Sequence, residues 1–212
     1  QGVDADAVFI DAGGGIGLQV YPPGGAGGQG ITVQRLTIRN PATGIQVNGG
    51  GAPGSTNLDD PANIRIANVL LYLDRPNSLG MDLRTSNMDA RRVTLVANAP
   101  GVSLLNNTSP VVNAVYLRDS LLVALPNAAP RPQWWQSSGL QTVFLNTPTG
   151  FAGPAGSASD WASAPTGTAA TLMTLGQAAF YDTLRGVFRL TPGSAAMGQA
   201  TEGGDLGYYT YH

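Results

Sequence analysis

Short runs in which hydrophobic and polar residues alternate recur along the chain, and one longer pattern repeats within them. In this pattern an apolar residue is followed, after two variable positions, by a second apolar residue and, after one more position, by a third. Its copies begin at Val33, Ile66, Ala90 and Val112. Their spacings of 33, 24 and 22 residues predict a repeat of ~22 to 24 residues that an insertion at residues 49–61 lengthens once, and such a period is typical of a solenoid.

A second short phrase accompanies the first and begins with glycine. A glycine, an apolar residue, a polar or small residue and another apolar residue follow one another in copies that begin at Gly17, Gly44, Gly80 and Gly101. A residue without Cβ can occupy a tight corner, so these glycines are predicted to mark the same corner in successive repeats.

Alternation with a period of two is typical of β-strands. The sequence between the strands lacks the turn signals of a hairpin, so the strands are predicted to stack in parallel, with equivalent residues ~4.8 Å apart. Apolar residues that face inward then form two rows. The first row is predicted to contain Leu36, Val69, Val93 and Val115, and the second Ile38, Leu71, Leu95 and Leu117.

The 212 residues are predicted to form a single elongated domain. Stacked strands are expected over residues 1–146, where short apolar runs alternate with loops rich in glycine and proline. Residues 147–212 begin with a stretch of Ala, Ser, Gly, Thr and Pro and end in a tail that is expected to cap the stack. Within this part, the apolar residues from Thr168 to Phe180 predict one short helix.

The tail resembles the closing segment of secreted bacterial right-handed parallel β-helix proteins of the pectate-lyase-like superfamily. In those proteins Phe-x-Asp, Gly-x-Phe-Arg-Leu, Pro-Gly-Ser-x-Ala-x-Gly and Gly-x-Asp-x-Gly-x-Tyr follow the last coils. Here the first three elements occupy residues 180–182, 186–190 and 192–198, and the last begins at Gly203. With the repeats, the resemblance covers most of the chain. It implies an all-β fold, a right-handed parallel β-helix with a C-terminal capping segment.

The resemblance also implies a secreted or cell-surface location in a bacterium and a tendency to meet polysaccharide. It does not imply one activity, because proteins with this closing segment include lyases, hydrolases, adhesins and structural surface proteins.

Composition excludes several classes of function. Only 11% of residues are charged, all 11 basic residues are arginines and the net charge is −2. The chain therefore has no basic field that would attract nucleic acid or an anionic membrane surface. No apolar run approaches the ~20 residues that span a bilayer. Because the chain has no cysteine and its one histidine is His212 at the end, neither thiolate chemistry nor a histidine-based triad or metal cluster is expected.

Outward-facing residues of adjacent strands also stack, and two such rows form the candidate site. One row is predicted to contain Gln19, Gln46, Asp82 and Ser103, with Arg84 two residues beyond Asp82, and the other Arg39, Tyr72, Val96 and Arg118. Arginine can bind the carboxylate of a uronic-acid sugar through two parallel hydrogen bonds, and tyrosine can stack on a pyranose face. Asp82 and Arg84 are the candidate catalytic residues, and Arg39, Tyr72 and Arg118 join them as candidate substrate-binding residues. The alternative interpretation is that these rows are ordinary surface, because any solenoid exposes some polar groups on its outside.

Trp134 and Trp135 complete the candidate substrate-binding residues. Two adjacent tryptophans in a proline-flanked polar loop are costly to expose. They are predicted to stack on sugar, to cover the side of the solenoid or to contact another subunit.

Two functions stay open at this point. The first is a non-catalytic extracellular or cell-surface protein, structural or adhesive, that binds polysaccharide or stacks on another copy of itself through an open strand edge. The second is a polysaccharide lyase or glycoside hydrolase, or the C-terminal part of one, that acts on an acidic polysaccharide. Hydrolysis needs two carboxylates ~5 to 10 Å apart, and neither Asp82 with Asp89 nor Asp59 with Asp60 is predicted to stack in that way.

No cofactor is expected. Asp59 and Asp60 share one loop and could hold calcium through loop oxygens, but adjacent aspartates without a regular ligand spacing are usually solvated.

Overall fold

The computed structural model describes residues 8–21, 31–48, 64–83, 88–107, 114–137, 142–145, 149–162, 170–201 and 203–207, and the structural statements below concern these residues. The chain is all-β, with two parallel sheets and one antiparallel hairpin. The nine-stranded sheet contains β1 (Phe9–Asp11), β3 (Ile31–Arg39), β5 (Ile64–Leu73), β7 (Met88–Ala97), β9 (Ala114–Arg118), β10 (Ser120–Ala124), β12 (Thr142–Leu145), β13 (Thr149–Gly153) and β14 (Ala170–Thr174).

The five-stranded sheet contains β2 (Ile16–Val20), β4 (Thr43–Val47), β6 (Leu79–Leu83), β8 (Ser103–Asn107) and β11 (Gln133–Ser137). From β1 to β8 the chain alternates between the two sheets, so each sheet receives every second strand. Short 3-10 turns lie at Pro126–Ala128 and Ala158–Asp160. Helix α1 (Leu175–Ala178) is followed by the hairpin of β15 (Phe180–Asp182) and β16 (Val187–Leu190).

The main hydrophobic core is built from apolar residues in register on neighbouring strands. The longest row runs through the nine-stranded sheet and contains Ile10, Ile38, Leu71, Leu95, Leu122, Phe151 and Leu172. The five-stranded sheet contributes a second row with Leu18, Ile45, Met81, Leu105 and Trp135. These rows confirm the predicted inward stacking of parallel strands.

The two predicted rows are confirmed for their first three members and wrong for the fourth. Val115 pairs with Met88 and Leu117 with Ala90, whereas the partner that follows Leu95 is Leu122. The inward position of the pattern next to Val93 is taken by a polar residue, Ser120. Its hydroxyl oxygen accepts a hydrogen bond from the backbone N of Val93 (3.1 Å) and donates to the backbone O of Arg118 (2.8 Å). A satisfied hydroxyl can occupy this buried position, and the apolar pattern fails there.

In the repeated pattern, two variable positions separate the first apolar residue from the second, and the backbone conformation explains this spacing. Arg35, Asn68, Arg92 and Asp119 all have positive φ, between 49° and 58°, and they occupy one position in the register of β3, β5, β7 and the junction of β9 with β10. A left-handed residue interrupts the alternation of a strand, so the inward positions on its two sides are three residues apart instead of two.

The predicted equivalence of the glycines is confirmed for Gly17, Gly44 and Gly80, but this position, the glycine corner, lies inside strands β2, β4 and β6 and not at a turn. A Cβ on Gly44 would lie 2.6 Å from the backbone O of Gly80, and a Cβ on Gly80 would lie 2.3 Å from the backbone O of Leu104. Gly101 is not a member, because β8 pairs with β6 through Leu79–Ser103 and Met81–Leu105. Leu104 therefore stands opposite Gly80, and Gly101 has a positive φ of 70° in the turn before β8.

The tail covers the outer face of the nine-stranded sheet. A second hydrophobic core joins Leu70, Val96, Leu121 and Val123 of this face to Phe188, Ala196 and Leu206 of the tail. The predicted helix from Thr168 to Phe180 is wrong for most of its length. Residues 170–174 form β14, because they pair with β13 and bury Met173, and only Leu175–Ala178 is helical.

Candidate functional site

The predicted row around Asp82 lies in the five-stranded sheet and is buried at Gln46 and Asp82, whereas Gln19 at its end is exposed. Nε2 of Gln19 donates to Oε1 of Gln46 (2.7 Å), and Nε2 of Gln46 donates to Oδ2 of Asp82 (3.4 Å). Nδ2 of Asn106 donates to Oδ1 of Asp82 from the other side (3.1 Å). Asp82 is only 1% exposed. Its carboxylate is held between two amides as a structural acceptor and is not presented to a polymer.

The fourth member of this row is Asn106 and not the predicted Ser103. Asp82 pairs with Asn106, and Ser103 pairs with Leu79. The sequence prediction aligned Gly101 with Gly80, whereas the residue opposite Gly80 is Leu104. The predicted register of β8 was therefore wrong by three residues. Arg84, the second candidate catalytic residue, lies outside the described residues, as do Asp59 and Asp60.

The predicted row of Arg39, Tyr72 and Val96 is in register, but the tail packs on it. Nη2 of Arg39 donates to the backbone oxygens of Gly186 (2.8 Å) and Arg185 (3.2 Å). The guanidinium carbon lies 5.7 Å from the ring centroid of Tyr72, and this ring lies 5.5 Å from that of Phe188. Burial raises the pKa of the Tyr72 hydroxyl, with a further rise from Asp74 and a partial offset from Arg39. Arg39 and Tyr72 therefore hold the tail.

Replacing Arg39 with methionine is expected to loosen the tail without disturbing the main core. The change removes two hydrogen bonds to backbone oxygens and the cation–π contacts with Phe9 and Tyr72, which together contribute ~1 to 2 kcal/mol. Chymotrypsin should then cleave faster after Leu184, the exposed residue of the hairpin turn. Arg189→Met is the matched control, because Arg189 stacks on Tyr181 within the hairpin itself. Equal cleavage rates for the two variants would contradict this role of Arg39.

The tryptophan pair belongs to the described core. Trp134 is buried, and its ring meets Phe151 edge to face with centroids 5.5 Å apart. Phe151 meets Trp161 in the same way at 5.6 Å. Trp135 is partly buried and packs against the same core. Three roles were predicted for the tryptophans: stacking on sugar, covering the side of the solenoid, or contacting another subunit. The buried ring of Trp134 agrees best with the covering role, because it is not available to a sugar in this conformation.

Two neighbouring rows on the nine-stranded sheet present charged side chains and one tyrosine to solvent. These residues, which we call the arginine face, are Arg65, Asp89, Arg91, Tyr116 and Arg118. They alternate with residues that are fully buried, Ile64, Ile66, Met88, Ala90 and Leu117. About a third of the Arg91 and Arg118 side chains is exposed, 33% and 31%. Register places Asp89 beside Arg65 and Tyr116, and Arg91 beside Arg118. Arg118 is the one predicted binding residue on this face.

Ion pairs fix the two neighbouring arginines. Like charges directly opposite one another on adjacent strands repel, and each guanidinium here has its own carboxylate. Nε of Arg118 donates to Oδ1 of Asp89 (2.8 Å) and its Nη2 donates to Oδ2. Nε of Arg91 donates to Oδ2 of Asp119 (2.8 Å). Two oriented guanidinium groups thus stand side by side on adjacent strands.

Sequence reasoning found Arg118 but missed the rest of the arginine face. It placed Arg118 beside Val96, whereas the partner of Val96 is Val123. The alternation of apolar and charged residues in Ile64–Ile66 and Met88–Arg91 contained the signal, because it gives Arg65, Asp89 and Arg91 a common outward face.

Within the described ranges, no group of three or more His, Cys, Asp or Glu side chains could hold a metal ion. No helix in this part of the chain is long and apolar enough to cross a membrane.

The chain was compared with protein-family models, with curated proteins and with solved structures, and none of them matches it.

Proposed function

We propose that the chain is a right-handed parallel β-helix of the pectate-lyase-like kind. Three observations support this architecture. The strands are parallel and alternate between two sheets along the chain, the left-handed bend recurs at one register position, and the glycine corner recurs at another. The handedness and the family are proposed from the resemblance of the tail to the closing motifs of that superfamily.

We further propose a structural or adhesive role outside a bacterial cell, with an acidic polysaccharide as a partner. The state of the carboxylates supports a role without catalysis. Asp82 is held by Gln46 and Asn106, Asp89 by Arg118, and Asp119 by Arg91. An acid–base pair for glycoside cleavage needs carboxyl groups that reach the sugar, and each of these is engaged in holding the fold.

The arginine face is the observation that supports an acidic polysaccharide as the partner. Arg91 and Arg118 are adjacent, oriented by carboxylates and about a third exposed. A guanidinium whose inner edge is fixed by a carboxylate can offer its outer N–H groups to the carboxylate of a uronic-acid residue. Tyr116, also part of this face, is partly exposed and adds an aromatic ring of the kind that packs on sugar.

Replacing Arg118 with glutamine is expected to weaken binding to polygalacturonate about tenfold, the loss of ~1.4 kcal/mol from one charge-assisted contact. The neutral polymer dextran should bind weakly to both proteins, and added salt should weaken the acidic complex. Affinity electrophoresis and calorimetry measure these changes.

Arg185→Gln is the matched control, since it removes the same charge from an exposed position of the tail. Equal losses for Arg118→Gln and Arg185→Gln would contradict the assignment to the arginine face. Release of unsaturated uronates or new reducing ends during the assay would contradict the non-catalytic role and favour a lyase or a hydrolase.

A further inference from the structure

We infer that the nine-stranded sheet continues from one molecule into the next, with β1 of one copy stacked on β14 of a second copy. The inference rests on the proposed parallel β-helix, and it names another copy of the chain as the partner of its ends.

The two outermost strands of this sheet have open edges. Among the described strands, β1 pairs only with β3 and β14 pairs only with β13. The unpaired N–H and C=O groups of such an edge form a template for another strand. Both edges belong to parallel strands, and the next strand in a parallel sheet must run in the same direction.

The longest apolar row is buried at its inner members but not at its two ends, where no further described strand covers it. Its inner members, Ile38, Leu71, Leu95, Leu122 and Phe151, are buried. Its last member, Leu172, is 40% exposed, and its first member, Ile10, is only partly buried. Both residues face the position that another layer of the row would occupy. A second copy supplies this layer, because Leu172 of one molecule would cover Ile10 of the next.

Further apolar side chains are exposed at the β1 end. Phe9 in β1 is 54% exposed, and Val8 and Ile16 are also exposed. Burying apolar surface of this kind favours association. The open edges of β1 and β14 lie at opposite ends of the sheet. Contact between them therefore joins one end of a molecule to the other end of the next, which is a head-to-tail contact. Such heterologous contacts repeat and form open stacks instead of closed dimers.

The absence of cysteine from the sequence permits a direct test by cross-linking. One preparation carries Ile10→Cys and a mass tag, the other carries Leu172→Cys, and the two are mixed under mild oxidation. In a stacked pair the two substituted positions lie on adjacent strands ~4.8 Å apart, which is within the reach of a disulfide. Within one molecule they are six strand spacings apart in the sheet order, about 29 Å at that spacing. The expected product is a reducible species with the mass of two 21.8 kDa chains and one tag, which contains one copy of each variant.

The matched control mixes Ile10→Cys with Leu184→Cys, since Leu184 is 97% exposed and lies on the tail hairpin. Random collision would cross-link this pair at least as well. A yield from the Ile10 and Leu172 mixture that does not exceed the control overturns the inference. Dimers of Ile10→Cys alone would also overturn it, because they join like ends.

The unmodified protein provides a second measurement. Its sedimentation should shift to larger species as concentration rises, and Leu172→Lys should remove this shift while the circular dichroism spectrum stays unchanged. A concentration-independent monomer overturns the inference. The polygalacturonate assay is scored separately on monomeric Leu172→Lys, so loss of stacking and loss of polysaccharide binding are distinguishable.

Discussion

Replacing Gly80 with alanine is expected to destabilise the fold by about 3 kcal/mol, near the upper end of what overpacking a core costs. A Cβ at this position would lie 2.3 Å from the backbone O of Leu104 and 3.2 Å from its Cα. The obstacle is the backbone of a neighbouring strand, which cannot move aside as the end of a flexible side chain can. Strands β6 and β8 would have to separate and lengthen the hydrogen bonds between them. Urea unfolding followed by circular dichroism should show a lower midpoint.

Gly176→Ala is the matched control for this prediction. The nearest atom to a Cβ on Gly176 is 3.9 Å away, and the residue lies in helix α1. Alanine is favoured over glycine in a helix by ~0.5 to 1 kcal/mol, so this variant should be as stable as the parent or slightly more stable. Equal losses of stability in the two variants would show that the glycine corner does not depend on the missing Cβ.

The repeat could be predicted from the sequence because its inward residues are apolar in successive strands. Leu36, Val69 and Val93 carry the pattern without interruption, and a one-residue slip would turn the whole set outward. The prediction failed where a hydrogen bond replaces an apolar contact. Ser120 fills an inward position because its hydroxyl bonds to Val93 and Arg118, and no pattern of hydrophobicity records such a bond.

The candidate site was harder to predict because exposure is decided by segments far away in the sequence. Period-two alternation shows that Tyr72 faces away from the main core, but it does not show that Phe188 packs on it from 116 residues further along the chain. Arg118 keeps its exposed position because the described tail lies over the neighbouring half of the sheet, against Val96 and Val123. The sequence predicts that a tail follows the strands, but it does not show which face of the sheet this tail covers.

Replacing Asp119 with asparagine is expected to release the tail from the sheet at a cost of ~2 to 3 kcal/mol, the range for hydrogen bonds to a charged group. Asp119 is fully buried. Its Oδ1 accepts hydrogen bonds from the backbone N (2.8 Å) and the hydroxyl (2.7 Å) of Thr201, and its Oδ2 accepts from Arg91. Its backbone O also accepts from the N of Gly207 (2.8 Å). Asparagine tolerates the left-handed backbone at this position, so the variant keeps the backbone conformation while it removes the charge and replaces one acceptor oxygen with an NH2 donor.

Hydrogen exchange should locate the effect of this substitution. The backbone N of Leu206 donates to the backbone O of Ala196 within the tail, and the backbone N of Gly207 donates to the backbone O of Asp119 in the sheet. Exchange at Leu206 and Gly207 should accelerate in Asp119→Asn, while exchange in β5 and β7 should change little. Asp182→Asn is the matched control, because Asp182 pairs with the exposed Arg185 and such a pair contributes well under ~1 kcal/mol.

The same contact predicts how stability depends on pH. Burial alone would raise the pKa of Asp119, but the hydrogen bonds from Thr201 and the charge of Arg91 outweigh it and hold the pKa below its ordinary value. A carboxyl with a lower pKa in the folded state stabilises the fold fully above its unfolded pKa of ~3.9, and this contribution is lost as the pH falls through the folded pKa. The difference in unfolding free energy between the parent and Asp119→Asn should therefore be constant at neutral pH and shrink in acid below about pH 4. A difference that stays constant throughout the acid range would mean that the charge of Asp119 does not hold the tail.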